Sequence, residues 1–154
     1  MTWSNFNSKT WRIHKQTVRL TYARMMIAGS FFSGALDYDS KDVQNILIIG
    51  LGGGIINNFY STINGLYLNV TVIDIDPVMK VIAEKWYEFE ETPLQRIIVD
   101  DGLRYIRQAV SRGELYDILL VDVCYNDDRP LMAPVEEFLA SDEIEKMNQV
   151  IKKH

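Results

Sequence analysis

Asn45-Ile-Leu-Ile-Ile-Gly-Leu-Gly-Gly-Gly54 and, a short way on, Asn69-Val-Thr-Val-Ile-Asp-Ile-Asp76 decide how this chain folds. Ile46 to Ile49 is a short apolar run, rich in β-branched residues and without polar alternation. That pattern predicts a strand buried on both faces. Four glycines follow within five positions, Gly50, Gly52, Gly53 and Gly54. Glycine there permits a tight turn and lets backbone approach a ligand closely. A helix of about ten residues should follow, with its free N–H groups beside the loop. A second strand, Val70 to Ile75, then delivers Asp74 and Asp76 at its carboxyl end. Asp74 lies 24 residues after Gly50, near the ~20-residue spacing at which an acid in a dinucleotide-binding fold receives a ribose. A carboxylate suits that task because it accepts hydrogen bonds from both hydroxyls. The plainer alternative is a βαβ unit whose glycines serve only close packing. The cluster is not a Walker loop, since no Gly-Lys-Ser/Thr follows. It reads Gly-x-Gly-x-Gly rather than Gly-x-Gly-x-x-Gly, and position 55 is Ile.

The 154 residues suffice for one domain with a real core. Hydrophobic residues make up 47% and charged residues 24%, an ordinary globular composition. The net charge of −5 argues against nonspecific nucleic-acid binding and suits a cationic ligand. Cys124 is the only cysteine, so there is no internal disulfide and no cysteine-based metal cluster. It is expected to be a small buried residue, since neither His14 nor His154 is placed as a partner. The region around Ile46 to Ile56 is too short and glycine-rich to span a membrane. No secretory pattern opens the chain, and a cytoplasmic location is expected. Asn69-Val-Thr71 matches a glycosylation sequon but falls within a predicted core strand.

Residues 1 to 12 read as irregular or a short strand. His14 to Phe32 looks helical, with Val18, Tyr22, Met25, Met26 and Gly29 near one face. The first 30 residues carry Lys9, Arg12, Lys15, Arg19 and Arg24 and no acid, read as a solvated face. Asp76 can cap a helix that starts at Pro77. Val78, Val81, Ile82, Lys85 and Trp86 mark that helix's faces. Gln95 to Asp101 is a third strand. Gly102 to Gly113 is a helix with a glycine stop. Tyr116 to Val123 is a fourth buried strand containing Asp122. A last helical region runs from Pro134 towards Lys152 and restarts at Ser141 as a cap. Alternating strands and helices imply a parallel sheet with right-handed crossovers, in the order 3-2-1-4. The glycine loop, Asp74, Asp76, Asp100, Asp101 and Asp122 all fall at strands' carboxyl ends, where open α/β sheets bind ligands.

Ile48-Ile-Gly-Leu-Gly-Gly-Gly54, Val72-Ile-Asp-Ile-Asp-Pro77, Asp101-Gly102 and Tyr116-Asp-Ile-Leu-Leu-Val-Asp122 together resemble the spermidine-synthase-like class I methyltransferases. Within that group the chain looks closest to the C-terminal domain of eukaryotic dual methyltransferases acting on elongation factor 1-alpha. The resemblance covers roughly residues 15 to 150. It implies an α/β Rossmann-like core and S-adenosylmethionine, or its decarboxylated form, as cofactor. Carried over by position, Gly50, Gly52, Gly53 and Gly54 would face the cofactor's amino-acid part. Asp74 would hold the ribose, Ile75 would pack on adenine, and Asp101 with Gly102 would meet the adenine amino group. Asp122 would be the catalytic residue, orienting the attacking amine or taking its proton. The plainer role for Asp122 is to cap the following loop.

Two departures from the family pattern bear on function. Aminopropyl transferases carry an acid where this chain has Gly53, and a second acid where it has Tyr125. A protein or peptide amine is therefore the expected methyl acceptor, ahead of aminopropyl transfer to a polyamine. A non-catalytic relative that binds a nucleoside or a partner is the third reading. The family also continues with three more strands. The chain is thus expected to be a single domain: a helical extension over 1–40 and a truncated cofactor-binding core over 41–154. That arrangement would leave the fourth strand at an open edge, so a homo-oligomer and weak catalysis by the isolated chain are expected.

Overall fold

A computed structural model describes residues 12–153; the reading of residues 1 to 12 falls almost wholly outside them. Four strands, β1 (Val43–Ile49), β2 (Tyr67–Asp74), β3 (Gln95–Val99) and β4 (Ile118–Val121), form one sheet. Its order is β3-β2-β1-β4, with every pairing parallel. Ile48 stands opposite both Val72 and Leu120. Among the described residues five α-helices accompany the strands: α1 (Thr21–Phe32), α2 (Ile55–Tyr60), α3 (Pro77–Trp86), α4 (Gly102–Arg112) and α5 (Ser141–Gln149).

Alternation along the buried strands divides the core between the sheet's two faces. Ile46, Ile48, Val70 and Val72 point towards Ala23, Ile27, Tyr60 and Ala83. Leu47, Ile49 and Ile73 point towards Ile106, Ala109, Phe138 and Val150. Each of those strand side chains is at most 2% exposed, and full burial of one contributes ~1.5–3 kcal/mol. The expected cap at Asp76 is present. Its Oδ1 accepts from the Val78 N–H at 2.8 Å, with Pro77 as the first helical residue. Gly113 closes α4 with φ +66°, a conformation that favours glycine.

Several local expectations change. The helix behind the glycine loop, Ile55–Tyr60, has six residues and not about ten. The first helix starts at Thr21, not near His14. Its buried face is Ala23, Ile27 and Ser30, while Tyr22 and Met25 are exposed. Small residues let α1 approach α2 closely, and the Ser30 and Tyr60 hydroxyls meet at 2.6 Å. A pattern weighted towards large apolar residues misses such a face. For the same reason α3 buries Ala83 while Val78, Val81 and Trp86 lie outside. Near the end a 3₁₀ turn, Glu136–Leu139, precedes α5; Ala140 occupies the cap and Ser141 is already helical. Finally, Cys124 is exposed, because β4 ends at Val121 and the chain has left the sheet before reaching it.

Beyond α5 the chain returns to the outer side of β4. The Tyr116 N–H donates to the Val150 carbonyl at 2.8 Å, and the Lys152 N–H to the Tyr116 carbonyl at 2.9 Å. Ile151 thereby forms a parallel bridge with Tyr116. The β4 edge is closed there at its start.

Candidate active site

The parallel register carries the glycine loop and the acids to one edge. The Asp100 N–H donates to the Asp74 carbonyl at 3.0 Å, the Gly50 N–H to the Ile73 carbonyl at 2.8 Å, and the Asp122 N–H to the Ile49 carbonyl at 2.8 Å. Asp100, Asp74, Gly50 and Asp122 thus stand in a row across the carboxyl ends of β3, β2, β1 and β4. Gly50 has φ +95°, and a Cβ there would collide with the Asp122 carbonyl oxygen. No other residue type lets the loop pass so close to the end of β4. Gly102 is demanded by packing instead: a Cβ would collide with Ile49 Cγ2.

Asp74 ties the loop to β2. Its Oδ2 accepts from the Leu51 N–H at 2.8 Å and its Oδ1 from the Asp76 N–H at 2.9 Å. A carboxylate has about four acceptor positions, so two remain for a ligand. Ile75, next along, is 70% exposed. Asp101 caps α4 through Oδ1, accepting from the Arg104 N–H at 2.7 Å. Its Oδ2 has no partner among the described residues. Asp100 is engaged by Arg104, whose Nε lies 2.5 Å from Oδ1.

Asp122 is half-buried at the end of β4, and no cation pairs with it among the described residues. Burial pushes its carboxyl above the ordinary aspartate range, while the Tyr22 hydroxyl of α1 opposes that shift by hydrogen bonding. Burial first, and then the Asp122 charge, push the Tyr22 hydroxyl upward. Tyr22, Gly50, Gly52, Gly53, Asn57 and Asp122 line a cavity of about 60 Å³. Gly53 lies under the Tyr87 ring, whose Cε1 would stand 3.2 Å from a Cβ. Ile13, His14 and Lys15 pass beside the same glycine and Tyr87. Lys15 Nζ, 2.5 Å from the Glu88 carbonyl, anchors that crossing.

Two of these residues were not singled out for the site from the sequence. Tyr22 was placed only on a helix face. Asn57 carried a faint signal, since Asn57-Asn58 is a poor helix-forming pair directly behind the glycine loop. A larger hollow of about 200 Å³, between Tyr60, Leu66, Thr92 and Gln95, has Tyr60 as its titratable side chain, and burial pushes that hydroxyl up to about 12 while Ser30 engages it. Among the described residues no helix is long and apolar enough to cross a membrane.

No family model matches the chain. It is 30% identical over 128 residues to the eEF1A lysine and N-terminal methyltransferase homolog of Drosophila pseudoobscura, covering 82% of this chain and 19% of that protein. It is 33% identical over 120 residues to the polyamine aminopropyltransferase of Vibrio vulnificus, covering 77% of this chain and 37% of that protein. The chain thus spans about a fifth of the one and over a third of the other. Among solved structures, human methyltransferase-like protein 13 in complex with SAH matches with TM-score 0.76 and 22% identity, over 86% of this chain and 61% of that one. A probable spermidine synthase from Corynebacterium glutamicum matches with TM-score 0.67 and 18% identity, over 90% of this chain and 46% of that one.

Proposed function

We propose that this chain, a homologue of the eEF1A lysine and N-terminal methyltransferases and of the polyamine aminopropyltransferases with a Rossmann-like class I methyltransferase fold, binds S-adenosylmethionine and directs methyl transfer to a protein or peptide amine. The observation that carries the reading is the row of Asp74, Gly50 and Asp122 across one sheet edge. Bound there, S-adenosylmethionine supplies a methyl carbon activated by positive sulfur. Asp74 has acceptor positions left for two ribose hydroxyls, Ile75 offers an exposed apolar side chain to adenine, and Asp101 Oδ2 can accept from an adenine amino group. Gly50 to Gly54 provide backbone that a ligand can approach, and Gly102, packed on Ile49, seats the start of α4 beside Asp101.

Asp122 acts on the acceptor. Its uncompensated carboxylate orients an incoming amine and can receive its proton, while the nearby Tyr22 hydroxyl favours its ionised form. Methyl transfer is preferred over aminopropyl transfer for a reason in this chain's own residues. Gly53 carries no acid, and the Tyr87 ring already occupies the space a side chain would need.

Titration calorimetry with S-adenosylhomocysteine tests the site: saturable heat is expected. Labelled methyl transfer to lysine peptides, set against aminopropyl transfer to putrescine, separates the two reactions. Tighter binding of the decarboxylated cofactor would reverse the preference. Self-association through the part of β4 beyond the Ile151 bridge is the oligomeric arrangement we favour. Light scattering at micromolar concentration tests it, and a monomer would exclude it.

A further inference from the structure

Asn57 stands out among the polar groups around the cavity. It is 2% exposed, and its amide nitrogen Nδ2 has no hydrogen-bond partner among the described residues. A buried amide left unpaired is costly, and a leucine of similar shape would avoid the cost. The side chain lies against the glycine loop itself. Gly54 has φ +68°, and a Cβ there would press on Asn57 Oδ1 at 3.2 Å. Gly54 therefore makes room for this amide as well as for the turn. The residue belongs to the wall shared by Gly50, Gly52, Gly53 and Asp122, where the cofactor's amino-acid part is proposed to lie.

A missing partner for an N–H donor must be an acceptor. Of the groups proposed to enter this cavity, the α-carboxylate of the methionine moiety is the strongest acceptor, and the acceptor amine's single lone pair is committed to the methyl carbon. We propose that Asn57 is a specificity-determining residue whose amide donates to that carboxylate. The inference rests on the cofactor reading above. It gives the site a positive reason to prefer the carboxylate-bearing cofactor, beyond the lack of an acid at Gly53.

The test compares two probes, S-adenosylhomocysteine and 5′-methylthioadenosine, which share the nucleoside but differ in the amino-acid part. Calorimetry on N57L should show S-adenosylhomocysteine binding weakened roughly 10- to 100-fold, the range for a hydrogen bond to a charged group. Methylthioadenosine affinity should stay within about two-fold, since its contacts lie at Asp74 and Asp101. N57D, which places a negative charge beside the carboxylate, should weaken S-adenosylhomocysteine as well, and serves as the test should N57L not fold. S-adenosylhomocysteine binding to N57L at wild-type strength, or tighter binding by N57D, would overturn the proposal. Equal losses for both probes would overturn it too, by showing a general collapse of the site. Absence of binding by the wild-type chain would instead remove the cofactor reading on which it rests.

Discussion

Asp117 and Asp122 flank the same strand, β4, and their surroundings differ in kind. Asp117, at the amino end, is buried; its Oδ2 accepts from the Asn45 N–H at 2.5 Å, and both its oxygens lie 2.8 Å from Lys152 Nζ. Asp122, at the carboxyl end, is half-buried in a cavity it shares with Tyr22, and its carboxyl is pushed upward by burial. The first acid is neutralised on the spot and joins three segments distant in sequence. The second is left uncompensated, where a ligand or substrate amine can complete it. Perturbed acids of that kind concentrate at functional sites.

The difference breaks most visibly if Asp122 is made neutral. Asp122→Asn should reduce methyl transfer by ~10²–10³-fold, the range for a positioned acid–base group, as measured with labelled cofactor. Folding should move the other way. A carboxyl whose pKa is raised on folding contributes stability present below the ordinary aspartate value and lost as pH rises through the raised one. At neutral pH the wild-type chain therefore carries a cost that Asp122→Asn removes. Thermal unfolding at pH 7 should find the variant at least as stable; a clear loss would mean that Asp122 is structural after all.

Asp74→Ala comes next in size. It removes two acceptors from the proposed ribose site and should cost ~2–3 kcal/mol of S-adenosylhomocysteine binding, roughly 30- to 150-fold. The Leu51 and Asp76 N–H groups lose their partner as well, so a small fall in melting temperature accompanies it. Unchanged affinity would remove Asp74 from the site.

At the opposite end, Lys152→Met should leave Asp117 buried with a backbone donor but no cation. Lys152 is partly exposed, so a loss of ~1–3 kcal/mol in unfolding free energy is expected rather than the larger figure for a fully buried pair. Adding Asp117→Asn should recover part of it, because an amide oxygen can still accept from Asn45. Cofactor affinity should stay within about two-fold in both variants, since this end of the sheet is remote from the proposed site.

The smallest expected change sharpens the comparison. The Tyr22 hydroxyl favours ionised Asp122 and so lowers its pKa. Tyr22→Phe removes that influence, and the acid limb of the rate–pH profile should move to higher pH. A limb that stays in place would mean that Tyr22 does not act through Asp122.

Much of the fold was legible because its signals are local. Ile46 to Ile49 has the composition of a doubly covered strand, Asp76-Pro77 has the chemistry of a helix start, and alternation of strands with helices leaves few topologies open. The order β3-β2-β1-β4 follows from those signals and from the handedness of crossovers. Candidate acids were legible for the same reason, since each closes a strand. What those acids do was not. Asp117 and Asp122 look alike in the sequence, and only the return of Lys152 to the amino end of β4 separates them. The meeting of Tyr22 with Asp122 joins residues 100 positions apart. Asn57 is an orphan only because α2 is packed beneath the glycine loop, and Cys124 is exposed only because β4 stops three residues earlier. Backbone conformation depends on neighbours along the chain, so the sequence determined the sheet and its turns. Burial, charge pairing and unmet hydrogen bonds depend on neighbours in space, and these the tertiary structure alone decided.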